Sequence, residues 1–94
     1  MIEIEEKDYV RIAELLKNEI DDSDFFNGTI EYDTERFYST LTATAIVYRK
    51  TVSMPEGRFS RIEDAVPVWW DFTTSADGQL QPNDFSFETL RDFI

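Results

Sequence analysis

The sequence predicts an α+β domain built as a two-layer sandwich. A three- or four-stranded antiparallel meander carries an N-terminal helix and a short C-terminal helix on one face, in the order α-β-β-β-α. Three observations lead there. Apolar residues recur at spacings of three and four between Glu5 and Ile20, and again after Asp84. From Phe26 to Thr73 the period drops to two. The links between the alternating runs are short and polar, which joins successive strands as antiparallel neighbours. A length of 94 residues corresponds to a single domain, residues 1–94. A chain of this size buries about 60–65% of the surface its unfolded form exposes. Eight Phe, four Tyr and two Trp supply the bulk for that thin core and argue against disorder.

The first helix spans approximately Glu5 to Ile20. Tyr9, Ile12, Ala13, Leu16 and Ile20 share one face, and Leu15 widens it. Glu5, Glu6 and Asp8 sit near its first turn, where carboxylates meet the positive end of the helix dipole. The run Asp21-Asp22-Ser23-Asp24 stops it with residues that prefer turns and caps. A strand follows, with Phe26, Gly28, Ile30 and Tyr32 on one face, and Asp33-Thr34-Glu35-Arg36 is its hairpin link. The second strand runs from Phe37 to about Thr51. Leu41, Ala43, Ala45 and Val47 form its dry face, and Thr40, Thr42, Thr44, Ile46 and Tyr48 the other.

Residues 53–64 contain Pro55-Glu56-Gly57, a turn signal. They read as a loop, with room for a ribbon on both sides of Gly57, that Phe59 and Ile62 pin to the body. The third strand spans Val66 to Thr73. Strict alternation places Val66, Val68, Trp70 and Phe72 inward, and Pro67, Trp69 and Asp71 outward. Pro67 lacks the ladder donor and argues for an edge or a strand start. Asp77-Gly78 marks a turn. A last helix is capped by Asp84 or Ser86 and has Phe87, Leu90 and Ile94 as its apolar side.

The chain has no histidine and no cysteine, and a net charge of -11. This removes the familiar triads and the common zinc sites, and it excludes a disulfide framework. Glycines occur only at 28, 57 and 78, so no phosphate-binding glycine loop can form. The aspartate run 21–24 lacks the spacing and the distant glutamate of a calcium loop. The expectation is a non-enzyme with no metal and no cofactor. The acidic start, Met1-Ile2-Glu3-Ile4-Glu5-Glu6, is unlike a signal peptide. With the absence of cysteine it fits a cytoplasmic protein.

Charge is uneven along the chain. Residues 1–35 carry a net of -9, residues 36–62 a net of +4 and residues 63–94 a net of -6. Net negative charge disfavours nucleic acid and anionic membranes as direct partners. The basic middle places Arg49, Lys50, Arg58 and Arg61 as candidate contacts for an anion or a partner. The outward strand positions make a second candidate: Tyr48, Ile46, Trp69 and Thr44 form an interaction face, unless the 53–64 loop covers Trp69. The function expected is a protein-binding module, docking on another protein or on a second copy of itself. The alternative is an acidic mimic of nucleic acid that inhibits a DNA-binding protein, against which the basic middle counts.

Overall fold

A computed structural model describes residues 1–94. The elements are α1 (Glu6–Glu19), β1 (Phe25–Asp33), β2 (Tyr38–Met54), β3 (Gly57–Ala76), β4 (Gln79–Gln81) and α2 (Phe87–Arg91). The four strands form one antiparallel sheet in sequence order, β1-β2-β3-β4. The two helices lie on one face. Three strands were read from the alternating runs, and the fourth is the three-residue β4. It returns beside β3 through Asp77-Gly78, where both residues have positive φ as a tight hairpin turn requires.

The core follows the two periods. Tyr9, Ile12, Ala13 and Leu16 of α1 are buried against Phe26, Ile30, Leu41, Ala43, Ala45, Val47, Ala65 and Phe72 of the sheet. The alanines at 43, 45 and 65 are fully buried and leave the helices close to the strand backbone. From the C-terminal segment come Phe85, Phe87 and Leu90. Phe85 stacks on Phe72 at 4.0 Å between ring centroids and on Tyr9 at 5.5 Å, so it joins both layers. The two chain ends are also bound together. The Ile2 N–H donates to the Pro82 carbonyl at 2.8 Å, and the Asp84 carboxylate accepts from the Ile4 N–H at 2.7 Å. Asp84 therefore secures the N-terminal segment, and Ser86 is the cap of α2, accepting from the Thr89 N–H.

One ion cluster pins α1 to the β1–β2 hairpin. Asp8 is fully buried. Its carboxylate accepts from the Glu5 N–H at 2.8 Å, the Tyr32 hydroxyl at 2.7 Å and Arg36 Nη2 at 2.5 Å. Burial pushes its pKa up, but these hydrogen bonds outweigh burial and hold it below the usual aspartate value. Burial and donation to Asp8 push the Tyr32 phenol up to about 12. A second clamp ties α2 to β3. Arg91 meets both oxygens of Asp64, at 3.0 and 2.6 Å, and also reaches Glu88. The hydrogen bonds from Arg91 chiefly lower the Asp64 pKa; burial opposes them with a smaller effect, and the Ala65 N–H adds a further lowering.

One expectation is sharpened and two require correction. Residues 53–64 take the form of a ribbon on both sides of Gly57, for which the loop reading left room. β2 and β3 continue past the start of β1, paired from Arg49↔Ile62 to Met54↔Gly57, with Pro55-Glu56 as the turn. Gly57 closes it at φ +139°, a conformation glycine adopts without a Cβ penalty. Phe59 does not pin this ribbon, since it is 51% exposed; only Ile62 packs against the core. The inward set of β3 also differs. Trp69 pairs with Thr44 but Pro67 pairs with Ala45, so Val68 is an extra residue in a β-bulge. The bulge inverts the phase. Val66 faces outward opposite Ile46, Pro67 lies opposite inward Ala45, and Val68 is 64% exposed. Beyond the bulge Trp70 and Phe72 do turn inward, opposite Ala43 and Leu41.

The ribbon makes the molecule long, 50 × 24 × 18 Å. Its radius of gyration is 14.7 Å, against about 12 Å for a compact domain of this length.

Candidate protein-binding surface

The helices cover one sheet face and leave the other bare. Cross-strand pairs share a face, so the registers define what the bare face presents. One rung reads Phe25, Ile46 and Val66 across β1, β2 and β3, and the next reads Asn27, Thr44 and Trp69. Tyr48 lies on the same side one step toward the ribbon. Trp69 is 55% exposed and Tyr48 50% exposed, with Phe25 and Ile46 also exposed. Nothing covers Trp69; the segment bearing Phe59 extends away from it as a ribbon. Toward the opposite end the face turns polar. Thr29 and Thr42 are 3.0 Å apart through their hydroxyls, and Thr40 and Thr73 2.6 Å apart.

Tyr48, Ile46, Trp69 and Thr44 therefore stand on one surface. Thr44 contributes a hydroxyl that donates to the Asn27 side chain at 3.1 Å, and so orders the rung beneath Trp69. Phe25 and Val66 extend the patch. Sequence reasoning missed both, the first because it lies one residue before the alternating run, the second because the bulge hides its phase. A second bulge, at Glu63, separates the Tyr48↔Asp64 and Arg49↔Ile62 pairs.

The basic residues do not converge on one anion site. Arg49 turns back onto the α1–β1 connection. Its guanidinium donates to the carbonyls of Ser23 (2.8 Å) and Asp21 and meets the Asp24 carboxylate at 3.2 Å. It is structurally occupied. Lys50 and Arg61 are direct cross-strand partners, while Arg58 is opposite Ser53 near the ribbon's tip. None of these three takes part in a salt bridge. The aspartate run 21–24 behaves as turn chemistry, with the Asp21 carboxylate accepting from the Ser23 N–H at 2.8 Å. No group of three acidic side chains comes together in a way that could hold a metal ion.

The depressions are open grooves. Two adjoin along α1 and β1, about 310 and 500 Å³ in volume, sharing Glu19 and Thr29 in their walls. No helix is long and apolar enough to cross a membrane. No protein-family model, curated protein or solved structure significantly matches this chain.

Proposed function

We propose that this chain is a non-catalytic protein-binding module of the cytoplasm, docking through its bare sheet face on another protein or a second copy of itself. The observation that carries this reading is the uncovered apolar band of Phe25, Ile46, Val66, Trp69 and Tyr48 on two neighbouring rungs and the position beside them. Aromatic and aliphatic side chains set side by side on a rigid sheet lose little freedom on contact, and they match the composition of interface centres. The polar threonine rows beside the band supply a rim. The free edge of β3 is a poor alternative contact. Pro67 and the bulges at Val68 and Glu63 interrupt it, which are devices that discourage strand addition.

The test is Trp69→Ala, compared with the wild type in sedimentation and in capture of partners from the native cell. An interface centre of this kind costs about 2 kcal/mol when truncated, close to a thirtyfold loss of affinity. The contact, being apolar, persists in about 0.5 M salt. Equal association by both proteins rules this surface out. The acidic-mimic reading gains from one feature: Lys50, Arg58 and Arg61 are carried away on the ribbon, and Arg36 and Arg49 are paired within the body, which leaves the body's exposed charge more uniformly acidic. That reading expects capture of a basic nucleic-acid-binding protein, released between about 50 and 200 mM salt and indifferent to Trp69→Ala.

A further inference from the structure

The ribbon stands apart from the packed body of the molecule. From Lys50 to Arg61 it is two strands that no helix or third strand covers, while at its base Arg49 is tied to the α1–β1 connection and Ile62 packs against the core. Hairpins of this kind are marginal in water by themselves. It also places Lys50 directly opposite Arg61, and like charges at that spacing destabilise a strand pair. Neither cation forms a salt bridge within the molecule. Val52 pairs with Phe59 on the same side, leaving Phe59 and Met54 exposed at the tip. Residues 49–62 carry four bases and one acid, whereas the other eighty residues carry nineteen acids and five bases. An unpaired basic ribbon with an apolar tip is built to meet an acidic surface that has apolar patches.

The molecule contains such a surface. The groove between α1 and the outer edge of β1 includes Glu19, Asp21 and Glu31 in its walls, together with Leu15, Ile20 and Phe25, and no lysine or arginine. β1 pairs only with β2, so its other edge is free. Unlike the edge of β3, that edge has no proline and no bulge. The β2 edge of the ribbon, from Arg49 to Met54, is equally regular.

We infer that the ribbon of one copy docks in the α1–β1 groove of a second copy, adding to the free edge of β1 with Lys50 and Arg61 facing Glu19 and Glu31. This rests on the reading of the chain as a protein-binding module but uses a surface that shares only Phe25 with the apolar patch around Trp69. Ribbon and groove are different patches, so two copies close the contact by exchanging ribbons. Main-chain bonds to β1 give affinity and the charges give selection.

The experiment is a charge swap read by sedimentation at about 50 mM salt. The wild type associates, and raising salt to about 0.5 M weakens it at least tenfold. Lys50→Glu with Arg61→Glu sediments as a monomer, and so does Glu19→Lys with Glu31→Lys. All four side chains are exposed, so each double variant still unfolds in one cooperative transition, although Glu31→Lys gives up the hydrogen bond from the Tyr38 hydroxyl at 2.9 Å. Mixing the two variants restores association, because each supplies the charge the other lost. Trp69→Ala leaves this contact intact. The inference is overturned by a wild type that stays monomeric at about 0.5 mM, by charge variants that associate like the wild type, or by a mixture that stays monomeric. Association lost in Trp69→Ala but kept in both charge variants overturns it too, while leaving the sheet-face reading standing.

Discussion

The same two strands pass through two different environments. Between Tyr38 and Val47, β2 has neighbours on both sides and helices over one face; beyond Arg49 it has a single neighbour and no cover. In the body, alternation puts Leu41, Ala43, Ala45 and Val47 into a dry layer. In the ribbon the same alternation continues, but there is no layer to enter. β-structure there follows from the register handed on by the body and from the Pro55-Glu56-Gly57 turn, with little burial to sustain it. Hydrophobic cover decides stability, and its absence leaves side chains free for a partner.

The largest expected effect lies in the body. Leu41→Ala removes a fully buried side chain at the centre of β2 and costs about 2–5 kcal/mol in chemical denaturation. A cost under 1 kcal/mol would mean that body and ribbon are alike in their dependence on packing, and would break the comparison.

A smaller effect belongs to the Asp8 cluster. Asp8→Asn costs about 2 kcal/mol at neutral pH, because Arg36 loses the charge it meets at 2.5 Å. The pH dependence has a definite sign. The Asp8 carboxyl is held below its ordinary value in the folded state, so its contribution is complete above that value, about 3.9, and is lost as pH falls through the folded one. Asp8→Asn thus flattens the acid limb of stability, although Asp64, lowered by Arg91, leaves a residual slope. Tyr32 acts on the alkaline side. Its folded pKa is raised to about 12, so its contribution is present below pH 10 and is lost on rising toward 12. Tyr32→Phe removes that loss. Parallel pH profiles for the variants and the wild type would remove the cluster from the account of the body.

The smallest effect is expected in the ribbon. Phe59→Ala changes global stability by less than about 0.5 kcal/mol, since the ring is half exposed and packs on no core residue. Dilute protein sharpens the contrast through hydrogen exchange. Amides from Thr51 to Ser60 exchange through local opening, well before those of Ala43 to Val47, which open only with the whole domain. Coincident rates would show one cooperative unit.

Much of this was legible in the sequence. The stripe on α1, the alternation in β1 and β2 and the Asp77-Gly78 turn predict elements that the structure contains. Trp69, Ile46, Tyr48 and Thr44 share one outward surface, as the alternation predicts. Strict alternation misplaces Val66, Pro67 and Val68, because a bulge inserts one residue without any mark in the composition, and one residue is enough to invert a strand. The sequence leaves the 53–64 segment between loop and ribbon because its apolar residues are few and widely spaced. Arg49 was grouped with Lys50, Arg58 and Arg61 by sequence proximity, yet alternation sends it to the opposite face from Lys50 and Arg61, where Asp24 and two carbonyls engage it.

By itself the sequence determined the elements, their order and which side of most of them is apolar, because periodicity is a local property of the chain. It also determined that no histidine or cysteine chemistry is available. Only the tertiary structure decided which residues are satisfied and which remain open. Asp8, Arg36, Asp64 and Arg91 are spent on clamps within the fold, whereas Lys50, Arg58, Arg61 and Trp69 are left facing solvent. That division depends on distances between residues far apart in the chain, and a local pattern carries no record of them.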